Sequence, residues 1–256
     1  MQVRAIRIAI GITCWLASIS TDAAIRTAAA AEGTAQTYRA EDCEQTDSNV
    51  TALRACTALL DAGNIDDATR ARYLVRRGYA WLADDDGGDG AKEDFTRALQ
   101  TGPANVKALN GRAKAHTLLG QHDLAAADWS AILATSPDAK ETEAALMSRG
   151  AAHQAAGQQD QALADYARAL ELNPKSEAAH IARAAVFAAR NDRASVLKEY
   201  ELARAINGGS YDFYIARAQI AESWGETQSA IDHYQAALNI DPRRAWTCLL
   251  YTSRCV

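Results

Sequence analysis

Glu143 to Ser176 reads EAALMSRGAAHQAAGQQDQALADYARALELNPKS. Its apolar residues recur at three- and four-residue spacing through two runs of about 13 residues, the period of an amphipathic helix. Gly157 falls between the runs, where a helix end wants a residue that tolerates left-handed geometry, and Pro174 follows the second run. The stretch is therefore a hairpin of two helices. Working outward, Val106 to Ala139 reads VKALNGRAKAHTLLGQHDLAAADWSAILATSPDA, and Tyr211 to Arg244 reads YDFYIARAQIAESWGETQSAIDHYQAALNIDPRR. Each of the three is 34 residues long with a proline at its 32nd position: Pro137, Pro174 and Pro242. Two less regular copies complete the array. Residues 71–105 carry one extra residue in the turn DDDGGDG and a proline at Pro103, and residues 177–210 have Gly208 where the proline should be.

Aligned column by column, the five copies share a set of small and aromatic positions. Position 8 is Gly78, Ala113, Gly150, Ala184 and Ala218; position 20 is Ala91, Ala125, Ala162, Val196 and Ala230. Position 24 is aromatic throughout, Phe95, Trp129, Tyr166, Tyr200 and Tyr234, and position 27 is Ala98, Ile132, Ala169, Ala203 and Ala237. In this combination the sequence resembles the tetratricopeptide repeat (TPR) family over residues 71–244. The resemblance implies an all-α fold, a right-handed α-solenoid of stacked antiparallel helix hairpins (the TPR superhelix). The physics agrees: small residues let the paired helices approach, the aromatic fills the remaining space, and stacked neighbours bury what one hairpin alone cannot. Val196, Ile132 and the missing fourth proline depart from the family pattern.

A charged column accompanies the apolar ones. Position 7 is arginine in every copy, and position 23 is Asp94, Asp128, Asp165 and Glu199 in the first four. The expectation is a structural ladder of bidentate pairs, Arg77 with Asp94, Arg112 with Asp128, Arg149 with Asp165 and Arg183 with Glu199. In the fifth copy Arg217 faces His233, with Asp232 just before it.

Outside the repeats, Met1 to Arg7 carries Arg4 and Arg7 and no acid, followed by an apolar run from Ile8 to Ser18 and then Ala28 to Ala31. A run of roughly 11 apolar residues is shorter than the ~20 that span a bilayer. Residues 1–31 are expected to be a signal peptide, and the mature chain to be periplasmic or secreted from a bacterium, without stable membrane insertion. In an oxidising compartment the two cysteines of the body, Cys43 and Cys56, most simply form one disulfide, worth roughly 3 kcal/mol through the unfolded chain. They belong to a leader, residues 32–70, in which Asp47 to Gly63 is one amphipathic helix capped by Ser48 or Asn49. At the other end, residues 245–256 close on CLLYTSRCV, apolar and too short for a hairpin. That string resembles translated sequencing-adapter read-through, so the natural chain is expected to differ beyond about Ala245 and no function is placed on Cys248 or Cys255.

The chain has 256 residues, 27 basic and 32 acidic, for a formal charge of -5. Loss of residues 1–31 would leave 24 basic and 31 acidic side chains, a charge of -7. An acidic chain with 7% aromatics lacks the cationic surface that nucleic acid requires. The five histidines form no HExxH or other metal-ligand spacing, and His116 and His153 share repeat position 11, a packing position. The run Asp84 to Gly90 fails as a calcium loop, because its fifth position is Gly88 and no Glu occupies the twelfth. No nucleophile elbow or phosphate loop is found, so the expectation is a non-enzyme without cofactors.

The TPR resemblance also implies where a partner would lie, on the concave wall built from the first helices. By family position that wall includes Arg72, Arg76 and Tyr79 in the first copy, Lys107, Asn110 and Lys114 in the second, and Met147 and Gln154 in the third. Ile181 follows in the fourth, and Ile215 and Gln219 in the fifth. Charge runs from basic at the first two copies, through apolar, to acidic at Asp212 and Glu222 in the fifth. The implied function is a non-catalytic protein-protein interaction scaffold exported to the cell envelope, which binds a protein or peptide segment. The alternative is the TPR regulatory portion of a larger envelope enzyme or assembly factor. An unpaired C-terminal face leaves homo-oligomerisation open.

Overall fold

A computed structural model describes residues 38–84, 86–135 and 138–244. The expected signal peptide and the terminal stretch 245–256 lie outside the described residues. Residues 40–244 form paired helices, with no strand among the described residues. A short α1 (Ala40–Glu44) and α2 (Asn49–Asp61) come first. Five hairpins follow: α3 (Asp67–Trp81) with α4 (Gly88–Thr101), α5 (Val106–Leu118) with α6 (His122–Ala134), α7 (Ala139–Ala155) with α8 (Gln159–Leu172), α9 (Glu177–Ala189) with α10 (Arg193–Asn207), and α11 (Tyr211–Ser223) with α12 (Thr227–Ile240). A 3₁₀ turn, Pro242–Arg244, ends the described chain.

Each boundary has a local cause. Four of the five first helices start on side-chain caps: Asp66, Asn105, Asp138 and Ser210 each accept a hydrogen bond from the backbone N–H three residues on. Between the helices of a hairpin the chain turns through a left-handed residue, Gly120, Gly157 and Gly225 at φ +70°, +77° and +72°. Asn191 takes the same role in the fourth hairpin at φ +58°, tolerated because asparagine is the side chain that best replaces glycine there.

Within each hairpin the two helices pack over the repeated small residues. Ala91, Ala125, Ala162, Val196 and Ala230 are all buried, as are Ala98, Ile132, Ala169, Ala203 and Ala237. Each second helix then packs on the first helix of the next hairpin. First helices also touch one another along the stack, α3 with α5, α7 with α9 and α9 with α11. A layer of first helices thus forms one wall, with the second helices behind it.

The aromatic column fits this packing at very short range. A Cβ built on Gly78 would lie 2.8 Å from the Phe95 ring and one on Gly111 only 2.2 Å from it, so the ring packs closely on both α3 and α5. Gly150 meets Tyr166 in the same way at 2.6 Å. Gly78 and Gly150 are position-8 glycines that the repeat pattern marks. Gly111 sits at position 6, and only the stacking of the second hairpin on the first shows why it is glycine.

The leader holds more helix than its sequence suggested. Ser48 accepts from the Thr51 N–H at 3.2 Å, which starts α2 at Asn49, but α1 was too short to register as a periodic run. Cys43 of α1 and Cys56 of α2 form a disulfide, both fully buried. With Ala52 and Ala55, Cys56 repeats the buried spacing of Ala91, Asp94 and Phe95, so the bond sits where later hairpins hold an aromatic. Replacing both cysteines with serine is expected to cost about 3 kcal/mol. The loss should concentrate at the end of the stack: hydrogen exchange of α1 and α2 amides accelerates while α7 and α8 keep their protection.

Candidate functional site

Two side-chain systems run the length of the stack: the charged column between paired helices and the wall of first helices. In the charged column, Arg77 Nε and Nη2 donate to the two Asp94 oxygens at 2.8 and 2.7 Å. Arg112 does the same to Asp128 at 2.9 and 2.6 Å, and Arg149 to Asp165 at 2.9 and 2.6 Å. The third nitrogen reaches sideways. Arg77 Nη1 donates to Thr57 Oγ1 on α2 at 3.1 Å, and Arg149 Nη1 to Ser130 Oγ on α6 at 3.0 Å. These two arginines therefore join three helices, two of their own hairpin and one of the preceding unit, through a planar fork that lysine could not supply.

Burial and pairing compete in these rungs. Burial pushes the Asp94 carboxyl above its ordinary value, and the two Arg77 donors work against that push. Asp165's hydrogen bonds raise Arg149 against the opposing effect of burial. Position 11 adds a third partner. His116 and His153 place Nε2 3.8 Å from Asp128 and Asp165, and their Nδ1 atoms lie 2.7 and 2.6 Å from Gln121 and Gln158 Oε1. The fourth hairpin is looser: Arg183 reaches Glu199 once, at 3.2 Å, and His180 Nδ1 lies 2.7 Å from the other oxygen.

The fifth hairpin differs in kind. No carboxylate lies within salt-bridge distance of Arg217 among the described residues; its guanidinium instead stands over the Tyr200 and Phe213 rings, 5.7 and 5.8 Å from their centroids. Burial, then Arg217, hold the His233 imidazole below its ordinary value of 6.5. A depressed histidine binds fewer protons folded than unfolded, so its contribution is present above that value and is lost as pH falls through the lower, folded one. Replacement of His233 by glutamine is expected to flatten part of the loss of stability below about pH 6.5, seen as a smaller drop in Tm than the parent shows on acidification.

Along the wall of first helices, the residues with family positions for partner contact divide into two groups. Arg72, Lys107, Lys114 and Gln219 are exposed. The remainder are engaged within the protein. Arg76 Nη2 donates to the Thr46 carbonyl at 2.7 Å, which ties α3 to the leader and removes that guanidinium from the wall. The Tyr79 hydroxyl donates to the Lys107 carbonyl at 2.9 Å, and Lys114 Nζ stands 6.0 Å from the centre of the Tyr79 ring. Tyr166, pushed up to about 12 by burial and by the Asp165 charge, stays protonated and donates to Gln154 Oε1 at 3.1 Å. Met147, Ile181 and Ile215 are half-buried against the core clusters behind the wall. Asn110 carries a buried Oδ1 without a hydrogen-bond partner.

Tyr79 thus links α3 to α5, with Lys114 beside its ring and Lys107 about two turns before Lys114 on α5, while Arg72 lies about two turns from Tyr79 on α3 and 3.7 Å from Glu44. The sequence pattern missed the internal use of Arg76. Its partner is a backbone carbonyl in the turn before α2, and no side-chain pattern marks such an acceptor. Among the described residues no three His, Cys, Asp or Glu side chains are grouped to hold a metal ion, and no helix is long and apolar enough to cross a membrane.

Comparison with known proteins bears on this architecture. Tetratricopeptide repeat family models match residues 144–176 and 211–244. No curated protein matches the sequence. The fold is similar to TTC0263, a thermophilic TPR protein of Thermus thermophilus, with TM-score 0.55 and 23% identity over 72% of this chain and 97% of that one. It is also similar to MamA 41-end from Desulfovibrio magneticus RS-1, with TM-score 0.56 and 20% identity over 65% of this chain and 90% of that one. At such identities the likeness is one of fold. With two hairpins matched by the family models and the fold similar to those structures, the chain carries tetratricopeptide repeats in an all-α TPR superhelix.

Proposed function

We propose that this chain is a non-catalytic scaffold that holds a segment of a partner protein against its wall of first helices. The observation that carries the reading is the pair of exposed lysines, Lys107 and Lys114, near Tyr79, with Arg72 beyond it, in a chain whose net charge is -5. Three exposed cations on one wall of an acidic protein fit an acidic partner segment, and long-range attraction of that kind sets orientation and association rate. The half-buried Met147, Ile181 and Ile215 continue the wall as apolar surface suited to the middle of the same segment. Placement in the bacterial periplasm or outside the cell follows the reading of residues 1–31 as a signal peptide, and the Cys43–Cys56 bond is in keeping with an oxidising compartment.

The test is a charge reversal. Lys107→Glu combined with Lys114→Glu should leave Tm within a degree or two, since both side chains are exposed, while slowing association with the partner about tenfold or more at low salt. Unchanged association would refute the proposed use of this wall.

A further inference from the structure

The fifth hairpin breaks the charged column, and the break coincides with a cavity. Between α10, α11 and α12 lies a cavity of about 90 Å³ whose wall includes Tyr200, Arg217 and His233. Trp224, Ile220 and Leu197 give it apolar sides. Its geometric origin is the junction between the fourth and fifth hairpins. There Gly208 and Gly209, both at positive φ, stand where other copies have a proline-bearing turn, and α10 meets α11 far more sparsely than α4 meets α5 or α6 meets α7.

Tyr200 and Arg217, on this space, lack polar partners, and the one carboxylate that lines it, Glu226, is held by Arg193. Tyr200 is 3% exposed, and its hydroxyl oxygen is buried without a hydrogen bond. Arg217 is half-buried and faces rings, without the carboxylate that position 23 supplies in the other four hairpins. The acids nearby are committed or turned away. Glu226 accepts from Arg193 at 2.8 Å, Arg193 in turn stacks 4.4 Å from the Trp224 ring, and Asp232 accepts from Gln228 at 2.9 Å. Glu201, next in sequence to Tyr200, is exposed and makes no ion pair with Arg217.

We propose that this cavity is a binding site for an external carboxylate, received by the Arg217 guanidinium in the place that Asp or Glu fills elsewhere in the column. A half-buried guanidinium favours a planar, bidentate acceptor. The space is large enough for a few waters or for a small carboxylate such as acetate. One cation and few donors suit a monoanion better than a phosphate dianion. Neutral His233 adds a ring N–H donor. The site lies between the first helix α11 and the second helices α10 and α12, and does not depend on the function proposed for the wall.

The probe is sodium acetate titrated into the full chain against sodium chloride at equal ionic strength, read by Tm and by the His233 ring resonance. Acetate should shift that resonance saturably and raise Tm by about 3 °C near saturation. His233→Asp supplies the missing carboxylate from within; it should raise Tm without acetate and abolish the acetate-specific increment. Arg217→Met should abolish the increment too, and if that variant does not fold the His233→Asp comparison decides alone. A short peptide with one free carboxylate, set against its amide, names the source: tighter binding than acetate indicates a protein segment, weaker binding a free small acid. The site is overturned if the parent shows no acetate-specific response, or if His233→Asp responds as the parent does.

Discussion

Arg149→Met is expected to lower Tm by about 6–16 °C. The substitution keeps most of the side-chain volume and removes the two donors that hold Asp165, which is 5% exposed, leaving a buried carboxylate with one histidine nitrogen 3.8 Å away. Breaking a buried pair by removing one partner costs about 3–5 kcal/mol. The guanidinium retains 23% exposure, so the lower half of that range applies, and a chain of this size loses about 2–4 °C per kcal/mol. The contact with Ser130 on α6 disappears as well, so the loss should spread into the preceding hairpin rather than stay local. Adding Asp165→Leu should restore more than half of the lost Tm, because removal of both charges takes away the unpaired ion. Thermal melts of the single and double variants check both statements. An unaltered Tm in Arg149→Met would refute a structural role for the charged column.

Gly111→Leu should be as damaging by a different route. The Phe95 ring is fully buried and lies 2.2 Å from where a Cβ on Gly111 would stand, and it also packs closely on Gly78, where a built Cβ would come within 2.8 Å of it. A new side chain there must push α5 off α4, which opens the first hairpin–hairpin interface. Overpacking of this kind costs about 1–3 kcal/mol, and a ring in close contact with both glycines places this case at the upper end. Gly150→Leu meets Tyr166 from one helix only and should cost less. The ordering of the two variants by chemical denaturation is the check: Gly111→Leu unfolds at lower denaturant than Gly150→Leu.

These two residues also show what the sequence could and could not say. Gly150, Asp165 and Arg149 recur in register with the other copies, so their roles could be read as columns: each repeat reports the local geometry of its own hairpin. Glycine itself does not recur at position 6, yet Gly111, Ser148, Ala182 and Ala216 are all small where a hairpin precedes, and only the packing names the ring that Gly111 avoids. The same reasoning covers the leader. Cys56 on a periodic helix was legible, whereas the five residues of α1 were too few to show a period. Arg76 was misplaced for a third reason, since its acceptor is the Thr46 carbonyl and backbone atoms carry no sequence signature. The cavity beside Arg217 was half visible: His233 in a column of acids marks a break, and only packing shows that the break is hollow.

The central claim, that a partner lies along the first helices, is tested most directly by site-specific photo-crosslinking from two exposed positions. One probe replaces Lys114 on α5 and the other replaces Arg168 on α8, a second helix behind the wall. The expected result is a discrete crosslinked species from position 114 that Lys107→Glu suppresses, and none from position 168. A species formed equally well from position 168, or one indifferent to Lys107→Glu, would contradict the claim.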